Sequence, residues 1–373
     1  MSTTAGRGVP APPPAEGGAA RRINGVAQDD DAAQHQEADR DEDFRELSRR
    51  VHDAGLMKPR RARYAGRIAL IWLLNGLGWA ALARCDREWW QVVLVAGWLA
   101  VWSEQLAFVV HDAGHRQISR HRRTIQVLGL VHANLALGVC FGWWVQHHNR
   151  HHNHPNHLEL DPDILRRVAI FAPEQAGQRS GLAHFLARNQ RYLFFPLLGL
   201  EAVVLRIAGL IALRRRAIRR LWLEGGLLLA HVTLYLGAVL VLLPLPAAAL
   251  FLAVHQGLLG YLLGLGFAVN HKGLPTRTGR EWSWLERQVL TARTLPTGLL
   301  GDFFHGGLNY QIEHHLFPGM PRSALRRAYP IVRDFCRERD IAYTETGVWE
   351  SYRHLAGHLD SASRILRDKT ATG

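Results

Sequence analysis

Four apolar stretches, 66–83, 89–110, 222–243 and 247–269, limit what this 373-residue chain can fold into more than anything else in it. A helix rises about 1.5 Å per residue, so roughly 20 apolar residues cross the hydrocarbon core of a bilayer. In that solvent each backbone polar group must be satisfied within the segment, which makes the α-helix the spanning form for such blocks. Two further stretches, 125–145 and 191–213, are interrupted by His132 and Asn134 and by Glu201 and Arg206. We expect these two to be interfacial or re-entrant, with spanning pairs as the other option. The fold class expected is an all-α membrane protein. It has about four transmembrane helices in two hairpins, interfacial helices, and a cytoplasmic histidine-rich helical cap.

The formal charge of +13 raises the question of a nucleic-acid partner. Only three of the 45 basic residues are lysine, and the arginines gather beside apolar blocks, in "KPRRARYAGR" (58–67), "RHRR" (120–123) and "RRRAIRR" (214–220). That placement matches the excess of positive charge at cytoplasmic membrane flanks, not a phosphate-binding stripe, so no nucleic-acid partner is expected. Positive flanks before residue 66 and after residue 213 put both points on the cytoplasmic side. The joins "RCDREW" (84–89) and "LPLP" (243–246) become outside turns, and residues 111–190 and 270–373 face the cytoplasm. The expected location is the cell inner membrane. Residues 1–43, with "GVPAPPPAEGG" and the acidic "QDDDAAQHQEADRDED", read as a disordered tail without a secretory h-region. Residues 44–345 form the membrane domain with its cap, and 346–373 a C-terminal cytoplasmic tail. Phe44, Leu47, Val51 and Leu56 have helical spacing, for an amphipathic helix near the membrane surface or a plain cytosolic one.

The three cysteines, Cys85, Cys140 and Cys336, form no CxxC pair, so any metal is held by nitrogen or oxygen. Histidine supplies the nitrogen: of 21, ten fall between His111 and His157. "HDAGH" carries His111 and His115 four apart, on one helical face. "HNRHH" carries His148, His151 and His152 at i, i+3 and i+4, and "QIEHH" repeats the pattern with Gln311 ahead of His314 and His315. His271, in "NHKGLP", leaves the last apolar block much as His111 leaves the second. His147, His154 and His157 are read as loop residues or as supports behind the ligands. Gln311 supports a ligand or leaves a coordination position open, Glu313 has a hydrogen-bonding role, and His305 is an unassigned spare. His255 lies 16 residues before His271, about 24 Å deeper along a helix, and His231 is similarly intramembrane, so both are set aside as internal polar contacts.

Eight imidazoles are too many for one metal and suit two, with positions left open. Imidazole serves iron, zinc and copper alike. No HExxH is present for zinc hydrolysis, nor the ExxH pairs of soluble di-iron bundles. An open two-metal site beside a membrane points to oxygen activation on a lipid.

The motifs "HDAGH", "HNRHH" and "NYQIEHHLFP", in that order and separated by apolar blocks, closely resemble those of the integral-membrane fatty acid desaturases over roughly residues 45–345. "FGWWVQHHNRHHNHPN", "DPDI" and "GGLNYQIEHHLFPGMPR" look most like the bacterial acyl desaturase branch, and the glutamine-headed third box is shared with front-end desaturases. The resemblance implies two Fe ions held by the histidine boxes, with O2 as oxidant. It also implies an acyl-lipid, acyl-CoA or acyl-carrier substrate, and electrons from an external donor. The chain has no HPGG haem motif, so a separate donor such as a ferredoxin with its reductase is expected. The acyl chain would enter a narrow apolar channel between the hairpins, which Glu104, seven residues before His111, would line unless it pairs within the bundle. Arginines near Arg322 would meet an anionic carrier or headgroup, or simply solvent or lipid. A di-iron hydroxylase of a lipid or sphingoid chain shares the same first hydrogen abstraction and is the alternative. A histidine-rich metal transporter is a second one, although it requires ligands aligned across the membrane.

Overall fold

The computed structural model describes residues 42–165, 169–177, 179–279 and 282–368. The tail expected at 1–43 therefore lies, through residue 41, outside the described residues. The fold is all-α, with only isolated β-bridges among the described residues. Four helices are long and apolar enough to cross a membrane: α2 (Arg61–Arg84), α3 (Trp89–Gly114), α9 (Leu221–Leu242) and α10 (Leu245–His271). They coincide with the four apolar blocks. α3 is the central one, packed between α2 and α10, with Leu99 and Ala100 closed off from solvent. α9 is peripheral and exposes Trp222, Leu229 and Val241, as a lipid-facing helix should. α10 meets the corner between α7 (Gln190–Leu198) and α8 (Glu201–Arg214) at Gly260, where a Cβ would lie 2.2 Å from the Gly199 carbonyl oxygen.

The two interrupted blocks are the two bent pairs. Arg122–Leu137 turns by 109° into α5 (Phe141–Asn153), and α7 turns by 80° into α8. If each pair is one broken span, the chain has up to six spans. α4 (Arg122–Gly129) runs into a π-helical stretch, Leu130–Leu137, which ends at Gly138 with a left-handed φ of 69°. Such a break frees backbone groups, and within a bilayer they must be re-satisfied. Arg206 Nε donates to the Leu137 carbonyl at 3.0 Å, and His231 Nδ1 to that of Leu135 at 2.9 Å. Glu224 Oε2 accepts from the Gly142 N–H at 2.9 Å and from Asn134 Nδ2 at 3.2 Å, while Asn134 Oδ1 takes the Phe141 N–H at 3.1 Å. The polar residues that interrupt the hydropathy are thus what allow the chain to turn, and the turn aims α5 at the histidines of other helices. His255 likewise stays an internal contact, hydrogen-bonded to Tyr235 Oη at 2.7 Å.

Beyond the apolar helices lies a cap built from α1 (42–53), α11 (Trp284–Leu290), α13 (Gln311–Leu316) and α14 (Arg322–Glu338). Leu47 and Val51 of α1 are fully buried there with Leu285, Ile312 and Phe335, so the apolar face of α1 is covered by cap helices. The cap is tied to α3 by a buried ion pair, Arg322 to Asp112 at 2.6 Å, with Arg322 also donating to the Phe108 carbonyl at 2.8 Å. That arginine is therefore enclosed. A short helix, α12 (Gly298–Phe304), precedes the cap segment. The stretch set apart as a C-terminal tail contains α15 (Val348–Asp368), which packs on α6 (Gly181–Arg188), α7 and α10. Its Leu355, Leu359, Ala362 and Leu366, spaced three and four apart, are all buried, which is the reason it docks and does not trail.

Candidate metal centre

Eight histidines meet where α3, α5, α10 and α13 end or begin. His111 occupies the last turn of α3 and His115 caps it. His148, His151 and His152 lie on α5, His271 is the last residue of α10, and His314 and His315 lie on α13. They form two groups, each offering nitrogens within 4.8 Å of one another: His111, His115, His148, His152 and His314 in one, His151, His271 and His315 in the other. The groups adjoin, since the rings of His152 and His315 stack at 4.1 Å. All eight residues selected from the sequence are brought together.

The division follows from helix geometry. Residues four apart share a face more closely than residues three apart, so His148 and His152 enter one group while His151 turns to the other. His314 and His315, adjacent on α13, point about a quarter-turn or more apart and divide likewise. The sequence pattern had allowed all three nitrogens of "HNRHH" to converge.

The three-residue group is fixed in orientation from behind. His151 Nδ1 faces Asp161 Oδ1 at 3.0 Å, His271 Nδ1 the Thr291 carbonyl at 2.8 Å, and His315 Nδ1 the Gln288 Oε1 at 2.9 Å. Gln288 cannot present its amino group instead, because Nε2 already donates to the His152 carbonyl at 3.1 Å. Each acceptor places the ring proton on Nδ1 and leaves Nε2 with a lone pair. His151 and His271 aim those lone pairs at each other across 3.3 Å, and His315 Nε2 has no hydrogen bond. In the five-residue group, Nε2 of His314 lies 3.1 Å from Nε2 of both His111 and His152. His115 Nε2, His152 Nδ1 and His314 Nδ1 are buried without a partner. Burial, and after it the neighbouring imidazoles, pushes protonation of His115, His314 and His315 well below the usual histidine range. At His151 burial is offset by Asp161 and Asp163, which raise its protonation instead. Imidazole nitrogens converging at such distances call for a cation between them, so the donor set fits metal ions.

The other histidines have separate uses. His147 Nε2 bonds Asp163 Oδ1 at 2.8 Å, beside the Asp161 that holds His151. His154 ends α5, and His157 Nδ1 accepts the Glu159 N–H at 3.2 Å. His305 bonds the Gly301 carbonyl at the end of α12, at 3.0 Å, and enters neither group. Gln311 Nε2 lies 3.0 Å from His271 Nε2, directed into the three-residue group. Glu313 is fully buried, accepting from Thr294 Oγ1 at 2.8 Å and Tyr343 Oη at 2.6 Å, and burial lifts its carboxyl to about 7.

A cavity of about 420 Å³ opens onto His111, His148, His151 and His271. Its walls are apolar and come largely from α7, α8 and α10, with Leu193, Leu197, Leu205 and Phe267 among them. Trp144, stacked on His148 at 4.6 Å, joins wall to site. Glu104 is fully buried in α3 and does not line this chamber. Sequence reasoning did not single out Asp161, Gln288 or Thr291 as supports. Asp161 stood within the quoted "DPDI", whereas Gln288 and Thr291 carry no motif at all.

The fatty acid desaturase family profile matches residues 88–347. The chain is 29% identical over 297 residues to an acyl-lipid (9-3)-desaturase of Physcomitrium patens, an alignment covering 75% of this chain and 55% of that protein. With Delta(8)-fatty-acid desaturase 2 of Arabidopsis thaliana it shares 26% over 353 residues, covering 90% and 78%. With a Delta 8-(E)-sphingolipid desaturase of Emericella nidulans it shares 26% over 346 residues, covering 87% and 62%. The matched span includes three of the four apolar helices, α3, α9 and α10, and all eight histidines. The chain belongs to the fatty acid desaturase family.

Proposed function

We propose that the protein is an oxygen-dependent desaturase of a fatty acyl or sphingoid chain, of the front-end type. The observation that carries this reading is that two adjoining groups of converging imidazoles sit at the end of an apolar chamber. His111, His115, His148, His152 and His314 would hold one iron, and His151, His271 and His315, with Gln311 beside them, a second. When bound, such a pair supplies the oxidising power to remove hydrogen from an unactivated methylene. Overall, one CH2–CH2 unit, O2, two electrons and two protons give one CH=CH unit and two waters. The chamber holds the chain by burial, about 0.8 kcal/mol per methylene, and its walls keep water from the reacting carbons. Asp161, Gln288 and the Thr291 carbonyl keep their three histidines in one tautomer and orientation.

In this reading α2–α3 and α9–α10 are two hairpins in the cell inner membrane, with the histidine-rich cap on the cytoplasmic side, supported by the arginine flanks. The two electrons come from a separate donor such as a ferredoxin with its reductase. Front-end selectivity is supported by the names of the relatives and the glutamine-headed third box. The test is expression in a heterologous host with donor and reductase supplied. A new unsaturated lipid species that vanishes in His315→Ala is expected, and unchanged lipids with a working electron supply sink the reading. Purified protein that saturates with zinc alone, or with one iron per chain, sinks the two-iron site.

A further inference from the structure

We propose that a second, arginine-lined cavity, at the adjoining ends of α2 and α3, is the docking site of an acidic one-electron carrier protein. This rests on the desaturase reading, whose stoichiometry consumes two electrons that the substrate does not supply. The cavity measures about 360 Å³ and shares no lining residue with the apolar chamber. Arg61, Arg116 and Arg120 stand around it, all exposed, and its inner surface includes Gln117, Ser119 and His115. It thus reaches a histidine of the five-residue group by a route that the acyl chain does not occupy.

The floor of this cavity is built. Gln117 is buried, accepts from Tyr64 Oη at 3.0 Å and donates to the Pro318 carbonyl at 2.8 Å, tying α2 and the segment before α14 to the end of α3. Arg116 holds a left-handed φ of 60°, a conformation that costs a non-glycine residue about 1 kcal/mol and that turns the chain outward directly after His115. His115 Nε2, below, makes no hydrogen bond.

The charge around the cavity has one sign. Residues 54–68 and 113–127, the two segments that meet here, contain nine Lys or Arg and no Asp or Glu. Among the described residues, no carboxylate pairs with Arg61, Arg116 or Arg120. A single-sign cleft steers an oppositely charged partner and fixes its register. A membrane headgroup would need only the exposed arginines and gives no role to a cleft running between them to His115. A protein carrier uses both: its acidic rim meets the arginines, and its redox group approaches the histidine cage by a short path.

The test uses the full chain in nanodiscs of phosphatidylcholine alone, with a reduced acidic [2Fe–2S] ferredoxin as the probe and reduced methyl viologen as a small cationic electron source. Arg61→Glu with Arg120→Glu is expected to raise both the ferredoxin Kd and its half-saturating concentration by about tenfold or more at low salt. Turnover driven by viologen, and iron content, should not change. The same charge change at Arg215 and Arg219, exposed residues outside the cavity, should leave ferredoxin binding as it is. An unaltered ferredoxin titration in the Arg61/Arg120 variant overturns the proposal. So does an equal loss with viologen, which would place these arginines in the service of the site itself. Loss confined to binding of phosphatidylglycerol vesicles would identify a lipid-binding surface instead. Should wild-type protein form no product with either reductant, the desaturase reading fails, while equilibrium binding of ferredoxin still decides the docking site on its own.

Discussion

The two histidine groups are chemically alike and differently supported. In the three-residue group every Nδ1 has an acceptor behind it, from Asp161, Thr291 or Gln288, so each ring is aimed before any cation arrives. In the five-residue group His111 Nδ1 faces Asp112 Oδ1 at 3.3 Å, whereas His152 Nδ1 and His314 Nδ1 have no such acceptor and their rings pack on one another. His115 packs against the rings of His111, His148, His152 and His314 at centroid distances of 4.4 to 4.8 Å. Few donors with rigid supports and many donors with loose ones are two routes to a cation site. The first depends on each member; the second tolerates the loss of one.

The largest expected effect follows from that difference. His271→Ala leaves the smaller group with two imidazoles and should lower bound iron from about two per chain to about one, abolishing product. His148→Ala leaves four imidazoles in the larger group, so iron should stay near two per chain even as turnover falls. Iron per chain by plasma mass spectrometry reads both. Equal iron loss in the two variants would mean that the groups do not act as separate sites.

A smaller effect is expected from the supports. Asp161→Asn replaces the carboxylate behind His151 with an amide and should weaken iron binding by about 10–100-fold, without unfolding the helices. Asp161 Oδ2 also accepts the Asn156 N–H at 2.8 Å, which the substituted amide oxygen can still do, while the Asp163 N–H on Oδ1 at 2.9 Å loses its acceptor, so one of the loop's two ties to this side chain persists. Iron titration against a competing chelator, alongside helical circular dichroism, separates weakened binding from lost fold. Unchanged affinity would show that ring packing, not the carboxylate, orients His151.

What the sequence made legible divides along the same line. The i, i+3, i+4 triplets and the four apolar blocks are local periodicities, so the eight histidines and the helices beneath them could be read directly. The division into five and three depends on how α5 and α13 are rolled against each other, which no single spacing encodes. Gln288 and Thr291 act from α11 and the turn after it on rings brought from α13 and α10, through purely tertiary contacts. Asn134 and Arg206 looked like interruptions of apolar runs because hydropathy scores a residue alone, and Glu224, inside an apolar block, drew no notice. Their worth lies in the broken helix they satisfy. α15 escaped notice because its apolar spacing is diluted by arginines and histidines, of which Arg353, His354 and Arg364 are exposed while His358 bonds the Phe171 carbonyl at 2.8 Å.

The smallest expected effect concerns Gln311, which occupies in α13 the place that His148 occupies in α5. Its Nε2 already reaches 3.0 Å from His271 Nε2, so an imidazole there would bring a fourth nitrogen to the three-residue group. Gln311→His should tighten the second iron by about tenfold, or ~1.4 kcal/mol. One contact is lost in exchange: Gln311 Oε1 accepts from Asn270 Nδ2 at 3.1 Å, but Asn270 keeps its bond to the Gly266 carbonyl at 3.0 Å. The gain in a metal bond should therefore outweigh the loss of one neutral hydrogen bond, about 1 kcal/mol. Because Gln311 also lines the acyl chamber, tighter iron accompanied by slower turnover would mean that the glutamine keeps a coordination position open. Weaker iron would mean that the amide is already a better partner than an imidazole, and the contrast between a sparse group and a crowded one would lose its chemical basis.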